Sequence, residues 1–199
     1  MRSFCVVGRT AHASSRVRLN DLPGTSGRLD VLARCIRAAL CVSHGVRRDT
    51  RVYLVMLGDA TPHTVRIDGR DAKFIRPDER PLATLLLKTI ERVTSEAPHF
   101  VEQRAGVAVA CAGLEAVLAD LPSGSGTPPL FLLDEGGSPL PRAGLVDGAF
   151  FIGDHTGFDP SAREALVTAG ARPVSVGPVS LHSDDVVTVL HNELDRRVP

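Results

Sequence analysis

Apolar positions along the chain switch between short unbroken runs and stretches at three- and four-residue spacing. SFCVVG (residues 3–8) and RVYLVMLG (residues 51–58) are apolar runs closed by glycine, the pattern of buried strands. Between them Leu29, Leu32, Ala33, Ile36, Ala39 and Leu40 recur on one helical face, predicting a helix over residues 26–43 that Thr25 or Ser26 caps and Gly45 ends. HTVRIDG followed by AKFIRP predicts a polar-faced hairpin turning at Asp68-Gly69. Helical spacing returns over residues 78–96, with Pro81 in the first turn where a proline is tolerated. GVAVACAG then reads as a strand, LEAVLADL as a short helix and PSGSGTPP as a loop.

The last third carries three more strands, PLFLLDEGG, GAFFIGDHTGF and RPVSVGP, each running into glycine beside polar or small residues. PSAREALVTAG between the second and third predicts a helix that Pro160 or Ser161 starts and Gly170 ends. A final helix over residues 184–197 has Ser183 as its cap and two arginines in its last turn. Strands alternating with helices predict an α/β fold, a parallel sheet with helices on both faces, and one domain over residues 1–199. In such sheets ligands bind beyond the carboxyl ends of the strands. The loops LLDEGG, FIGDHTG and VGPVSLHSD are of that kind, so the Gly-Pro step at Gly177 and Pro178 is either punctuation or a place where backbone meets a ligand.

Composition bounds the function classes. Hydrophobic residues make up 43% of the chain and charged residues 23%, an ordinary globular balance. No apolar run approaches a membrane span and the start lacks a signal-peptide core, so a soluble, cytoplasmic protein is expected, with no membrane partner. The four cysteines have no metal-ligand spacing and read as small buried hydrophobes, with no metal expected. Net charge is zero, yet residues 1–51 hold ten arginines against three acids. That asymmetry fits either a phosphate-bearing partner or solvated helix faces paired with acids elsewhere. Neither a GxGxxG fingerprint nor a P-loop is present, which disfavours a phosphate-cradling nucleotide site and leaves a nucleoside-like ligand open. Titratable candidates at the strand ends are Asp134, Glu135, Asp154, His155, His182 and Asp185. Asp154-His155 could supply a general base, or Asp154 could cap a turn.

Three segments carry a resemblance: NDLPGTSGRLDVLARCIRAALCVSHGVRRDT at residues 20–50, RPDER at 76–80, and VGPVSLHSDDVVTVLHNELD at 176–195. Together they resemble the tRNA (pseudouridine-54, N1)-methyltransferase family of the SPOUT superfamily. The resemblance implies a SPOUT-type sheet with a carboxyl-terminal deep trefoil knot over about residues 128–199 that binds S-adenosylmethionine. It implies cofactor contacts at Leu133, Gly153, Val176, Gly177, Pro178, Val179, Ser180 and Leu181, largely through backbone. It also implies tRNA as partner and a homodimer through the knot, with the final helix packed against the partner chain. On this reading Asp154 is the candidate base for removing the N1 proton, and Arg28, Arg34 and Arg47 are candidates for holding substrate phosphates. Asp21 and Asp30 could instead lock those arginines in place.

One departure from the family pattern bears on the substrate. Where LHADHC is expected the chain reads LHSDDV, with Asp185 at the second histidine position and Val186 at the cysteine. The competing expectations are a methyltransferase of the same fold acting on another RNA position, a small molecule or a peptide, and a cofactor-free RNA-binding protein.

Overall fold

The computed structural model describes residues 1–14, 16–93 and 96–197. Its elements in chain order are β1 (Arg2–Gly8), α1 (Leu22–Thr25), α2 (Leu29–Leu40), β2 (Cys41–Val42), β3 (Gly45–Val46), β4 (Thr50–Met56), β5 (His63–Asp68) and α3 (Glu79–Glu91). Then follow β6 (Val101–Arg104), β7 (Val107–Ala110), α4 (Leu114–Asp120), β8 (Leu130–Pro139), β9 (Ala149–Gly153), α5 (Pro160–Thr168), β10 (Arg172–Ser175) and α6 (Ser183–Asp195).

One eight-stranded sheet runs β10-β8-β9-β1-β4-β5-β7-β6. From β10 to β4 every neighbour is parallel, as the alternation of strands and helices predicts, whereas β5, β7 and β6 add on antiparallel. The sheet is therefore mixed. The expected hairpin of HTVRIDG with AKFIRP does not form. After β5 the amides of Asp71 and Ala72 turn back onto the Asp68 carbonyl, and the Arg48 guanidinium holds the carbonyls of Gly69, Arg70 and Ala72 at 2.9 to 3.3 Å. That segment has spent its backbone groups on the turn, so the free edge of β5 pairs with β7 instead.

Side-chain alternation divides the core into two layers. Phe4 and Val6 of β1 and Val52 and Leu54 of β4 point to one face, where α2, α3 and α6 cover them. Cys5, Val7, Tyr53 and Val55 point to the other, under Val117 of α4 and Leu166 of α5. Helices thus cover both faces. Of the four cysteines expected to be buried, Cys5 and Cys35 are, and burial pushes both thiols up, whereas Cys41 and Cys111 are half-buried.

Helix ends show local chemistry at work. Helix α2 begins at Leu29, later than predicted, because Gly27 and Arg28 both take positive φ, 57° and 73°. A Cβ on Gly27 would stand 1.8 Å from the Thr10 carbonyl oxygen, so only glycine fits. Ser26 still serves the helix start, its Oγ accepting the Leu29 amide at 3.0 Å. The helix stops at Leu40, short of the predicted residue 43, because Cys41 turns extended and opens the small β2–β3 ribbon. Helix α3 is described to Glu91, and residues 94 and 95 of its predicted continuation lie outside the described residues. Asp159 caps α5, accepting the Ala162 amide at 2.9 Å, with Pro160 in the first turn. Ser183 does not cap α6. It is the first helical residue, and its hydroxyl reaches across to the Gly153 carbonyl at 2.8 Å.

Helix α6 lays Val186, Val187, Leu190 and Leu194 into the core against α2 of its own chain. His191 is buried beside them, 4.7 Å from the Phe4 ring, with Nε2 donating to the Ala39 carbonyl at 2.9 Å. Burial, reinforced by the positive charges of Arg47 and Arg2, lowers its pKa from 6.5 to about 4, so the ring is neutral in the folded chain. Once unfolded, the ring takes up a proton near its ordinary pKa, so this contribution is complete well above 6.5 and is lost as pH falls toward 4. Between about pH 7 and about pH 5 the unfolding free energy should drop by about 2 kcal/mol from this residue. Urea titrations at both pH values check it, and His191→Asn should flatten the dependence over that window. Asp195, held down to about 2 chiefly by the Arg47 hydrogen bond, stays ionised throughout.

Candidate active site

The middle of β8, just past its ladder with β9, and the carboxyl ends of β9 and β10 open into one cleft of about 680 Å³, a size suited to a nucleoside-scale ligand. The first wall is the segment after Leu132. Strand β10 pairs with β8 at Leu132 and next at Ser138, so residues 133–137 leave the ladder and bulge outward. Asp134 fixes that bulge, accepting the Gly136 amide at 2.9 Å and the Arg163 guanidinium at 2.7 Å. The Arg163 bond and then the Gly136 amide hold its carboxyl below the usual range.

The second wall follows Gly153. A Cβ on Gly153 would meet the Gly157 Cα at 2.8 Å, so the tight GDHTG turn needs glycine there. Asp154 locks this turn. One carboxylate oxygen accepts the Thr156 amide at 2.8 Å and the Thr156 hydroxyl at 2.6 Å, and the other accepts the Arg9 amide at 2.8 Å. Its side chain is 1% exposed. The geometry therefore gives Asp154 the turn-capping work that the sequence left as the alternative to general base.

The third wall is the Gly-Pro loop. Ser175 Oγ donates to the Gly177 carbonyl at 2.9 Å and accepts the Gly177 amide at 3.3 Å, closing a tight bend. A Cβ built on Gly177 meets no protein atom within 4 Å, so this backbone faces open space. The loop then runs exposed through Val179, Ser180 and Leu181 to the start of α6.

Most of the residues expected at the cofactor loops border the cleft: Leu133, Gly153, Val176, Gly177, Val179, Ser180 and Leu181. Pro178 is exposed and does not line it. Arg28 and Arg34 line the rim across from these loops, and Arg47 does not. Arg47 instead pairs with Asp195 of α6 at 2.6 Å in a separate depression. Asp30, 1% exposed, sits between the other two, accepting from Arg28 Nε and Nη2 at 3.1 Å each and from Arg34 Nη1 at 2.9 Å. Burial alone would raise the Asp30 carboxyl, but its bonds to Arg28 and Arg34 prevail and hold it below the usual value. Arg34 also reaches Glu79 at 3.3 Å and Asp184 at 3.7 Å. Asp21 takes no part, since it caps α1 through the Gly24 amide.

Val31 and Arg163 line the cleft and were not singled out by sequence. Val31 lies between Arg28 and Arg34 at three-residue steps, a helical-face signal that was available. Arg163 has no local signal, because its partner Asp134 is remote in sequence. At the departure from the family pattern, Asp185 is exposed and Val186 is 7% exposed and packed on the core, and both line the cleft. Among the described residues no group of three His, Cys, Asp or Glu could hold a metal ion, and no helix is long and apolar enough to cross a membrane.

Comparison with known proteins shows the family of the chain. The family described as "Putative SAM-dependent RNA methyltransferase" matches residues 1–198. A tRNA (pseudouridine(54)-N(1))-methyltransferase of Halobacterium salinarum is 43% identical over 197 residues, covering 98% of this chain and 96% of that protein. The enzyme of the same name from Methanosarcina acetivorans is 38% identical over 199 residues, covering 98% and 92%. In fold, the chain is similar to the crystal structure of Archaeoglobus fulgidus Nep1 bound to S-adenosylhomocysteine, with a TM-score of 0.65 at 16% identity over 98% of this chain and 97% of that one. With near-complete coverage and identity of this order, the chain belongs to the SAM-dependent RNA methyltransferase family.

Proposed function

We propose that the protein transfers the methyl group of S-adenosylmethionine to N1 of pseudouridine in tRNA. The observation that carries this reading is the convergence of three glycine-bearing strand-end loops on one cleft rimmed by Arg28 and Arg34, in a chain whose relatives bear that activity in their names. The residues present fit the cofactor. The cleft has the volume, the Gly177 backbone faces open space, and Leu133, Ile152 and Val176 offer apolar surface for a purine.

When bound, the cofactor supplies a methyl group activated on a sulfonium. The chain's task is then to place N1 in line with that methyl and to let the N1 proton leave. Backbone of the loops at 153 and 176–181 would hold and orient the cofactor. Asp154 keeps the loop after β9 in shape, and groups with free access at the mouth, among them His155, His182 and Asp185, are placed to receive the proton. Arg28 and Arg34, held by Asp30, present a fixed pair of guanidinium groups to a substrate phosphate, so locking and binding are compatible roles for them. Arg47, bound to Asp195 outside the cleft, would act only on a remote part of the tRNA.

The SPOUT-type knot over about residues 128–199, within one domain over residues 1–199, belongs to the same proposal. Its support is the interleaving of β8, the 133–137 bulge and β10. So does a homodimer through that region. Val179 and Leu181 are 68% and 41% exposed beside the start of α6, apolar surface that a second copy would cover. Because the apolar face of α6 is spent on α2, a partner would meet its outer residues such as Thr188 and Asn192.

Labelled S-adenosylmethionine incubated with total RNA, with and without prior pseudouridine formation, tests the reading. Label should enter tRNA only after pseudouridine formation. Label confined to small molecules or peptides would overturn it in favour of a same-fold enzyme with another substrate, the reading that LHSDDV motivates.

A further inference from the structure

The loop between β5 and α3 holds the most exposed large apolar side chain among the described residues. Phe74 is 90% exposed and has φ +58°, a left-handed conformation that a bulky residue rarely adopts. The loop around it is anchored. Ala72 is 1% exposed, Ile75 packs on the core, and Arg48 holds the carbonyls of Gly69, Arg70 and Ala72. A positive φ between two inward-facing anchors is what turns the ring out to solvent. Strain and an unburied ring on the same residue are costs that folding alone does not explain.

Charge around the ring says what would cover it. Arg70, Lys73, Arg76 and Arg80 are all exposed, and none forms an ion pair among the described residues, unlike Arg28, Arg34, Arg47, Arg51 and Arg66, which are all held by carboxylates. Asp71 and Asp78 offset part of this charge. The loop leads into α3, whose Glu79 touches Arg34 of the cleft rim. Glu79, which contacts Arg34 at 3.3 Å, is five residues on, so the Phe74 backbone is within roughly 17 Å of that residue's.

We infer that Phe74 is a stacking platform for an unpaired base of the RNA substrate, with the phosphates on either side met by Arg70, Lys73 and Arg76. Aromatic rings flanked by unpaired cations hold splayed bases in this way, without reading their sequence. The inference rests on the proposed RNA methylation and adds a contact outside the cofactor cleft that positions the substrate.

The chain contains no tryptophan, so Phe74→Trp introduces a single reporter. Titration with a pseudouridine-containing tRNA transcript should quench its fluorescence, and S-adenosylhomocysteine alone should not. Phe74→Ala should raise KM for tRNA roughly tenfold, with kcat and S-adenosylhomocysteine affinity unchanged, and Phe74→Tyr should restore KM. A Phe74→Ala enzyme with wild-type KM would overturn the inference while leaving methylation intact. A Trp signal that follows protein concentration without RNA would overturn it in favour of contact with a second copy. Failure of the wild-type enzyme to methylate any tRNA would instead bring down the functional reading itself.

Discussion

Replacing Gly177 with leucine should eliminate S-adenosylmethionine binding while leaving the chain folded. A Cβ at this position meets no protein atom within 4 Å, and Gly177 lines the cleft, so the backbone has room for a side chain where the ligand is expected. Where a ligand must approach backbone, that intrusion removes both the contact and the volume. A loss of about 100-fold or more in affinity is expected, about 3 kcal/mol. Calorimetry with S-adenosylhomocysteine measures it, alongside an unfolding curve that should superimpose on the wild type. Undiminished binding would show that the cofactor lies elsewhere. The same substitution at Gly153 would be uninformative, because its Cβ would collide with Gly157 and disturb the turn directly.

Asp30→Ala should destabilise the chain markedly. The Asp30 side chain is 2% exposed and ties together Arg28 and Arg34, whose side chains are 37% and 31% exposed. Removing it strips Arg28 of its carboxylate partner and leaves Arg34 with only the longer contacts to Glu79 at 3.3 Å and Asp184 at 3.7 Å. Breaking a buried pair from one side costs about 3 to 5 kcal/mol, and the partial hydration of both arginines places this case at the low end, about 3 kcal/mol. Urea denaturation reads the loss. RNA affinity should fall as well, in a salt-dependent manner, because the arginines lose their fixed orientation. If Asp30→Ala binds RNA as tightly as wild type, the pair serves stability alone.

The parallel half of the sheet could be read from the sequence because its signals are local. Apolar runs and helical spacing alternate along residues 129–197, and local signals such as Pro160 and Gly170 bound α5, although β8 runs on through Gly136-Gly137 to Pro139 and α6 starts without a side-chain cap. The antiparallel half could not, because the partner of β5 is decided by how the 69–72 turn spends its backbone groups and by Arg48, a residue twenty or more positions away. At the site, the three loops were visible as glycine and small-residue punctuation. Side-chain roles were less visible. Asp154 reads as a candidate base or a turn cap, and the Arg9 amide that donates to it is too remote in sequence to be seen there. Arg47 resembles Arg28 and Arg34 in sequence and differs only because α6 brings Asp195 to it. The lock of Asp30 on Arg34 was legible as one of two options, since four-residue spacing places them together, whereas Arg28, two residues before Asp30, reaches it from the left-handed position that precedes α2.

The most direct test of the whole account is nucleoside mass spectrometry of a pseudouridine-containing tRNA after incubation with the enzyme and S-adenosylmethionine. The wild-type chain should yield N1-methylpseudouridine and Gly177→Leu none. Methylation at another nucleoside, an unmodified tRNA, or equal product from both proteins would contradict it.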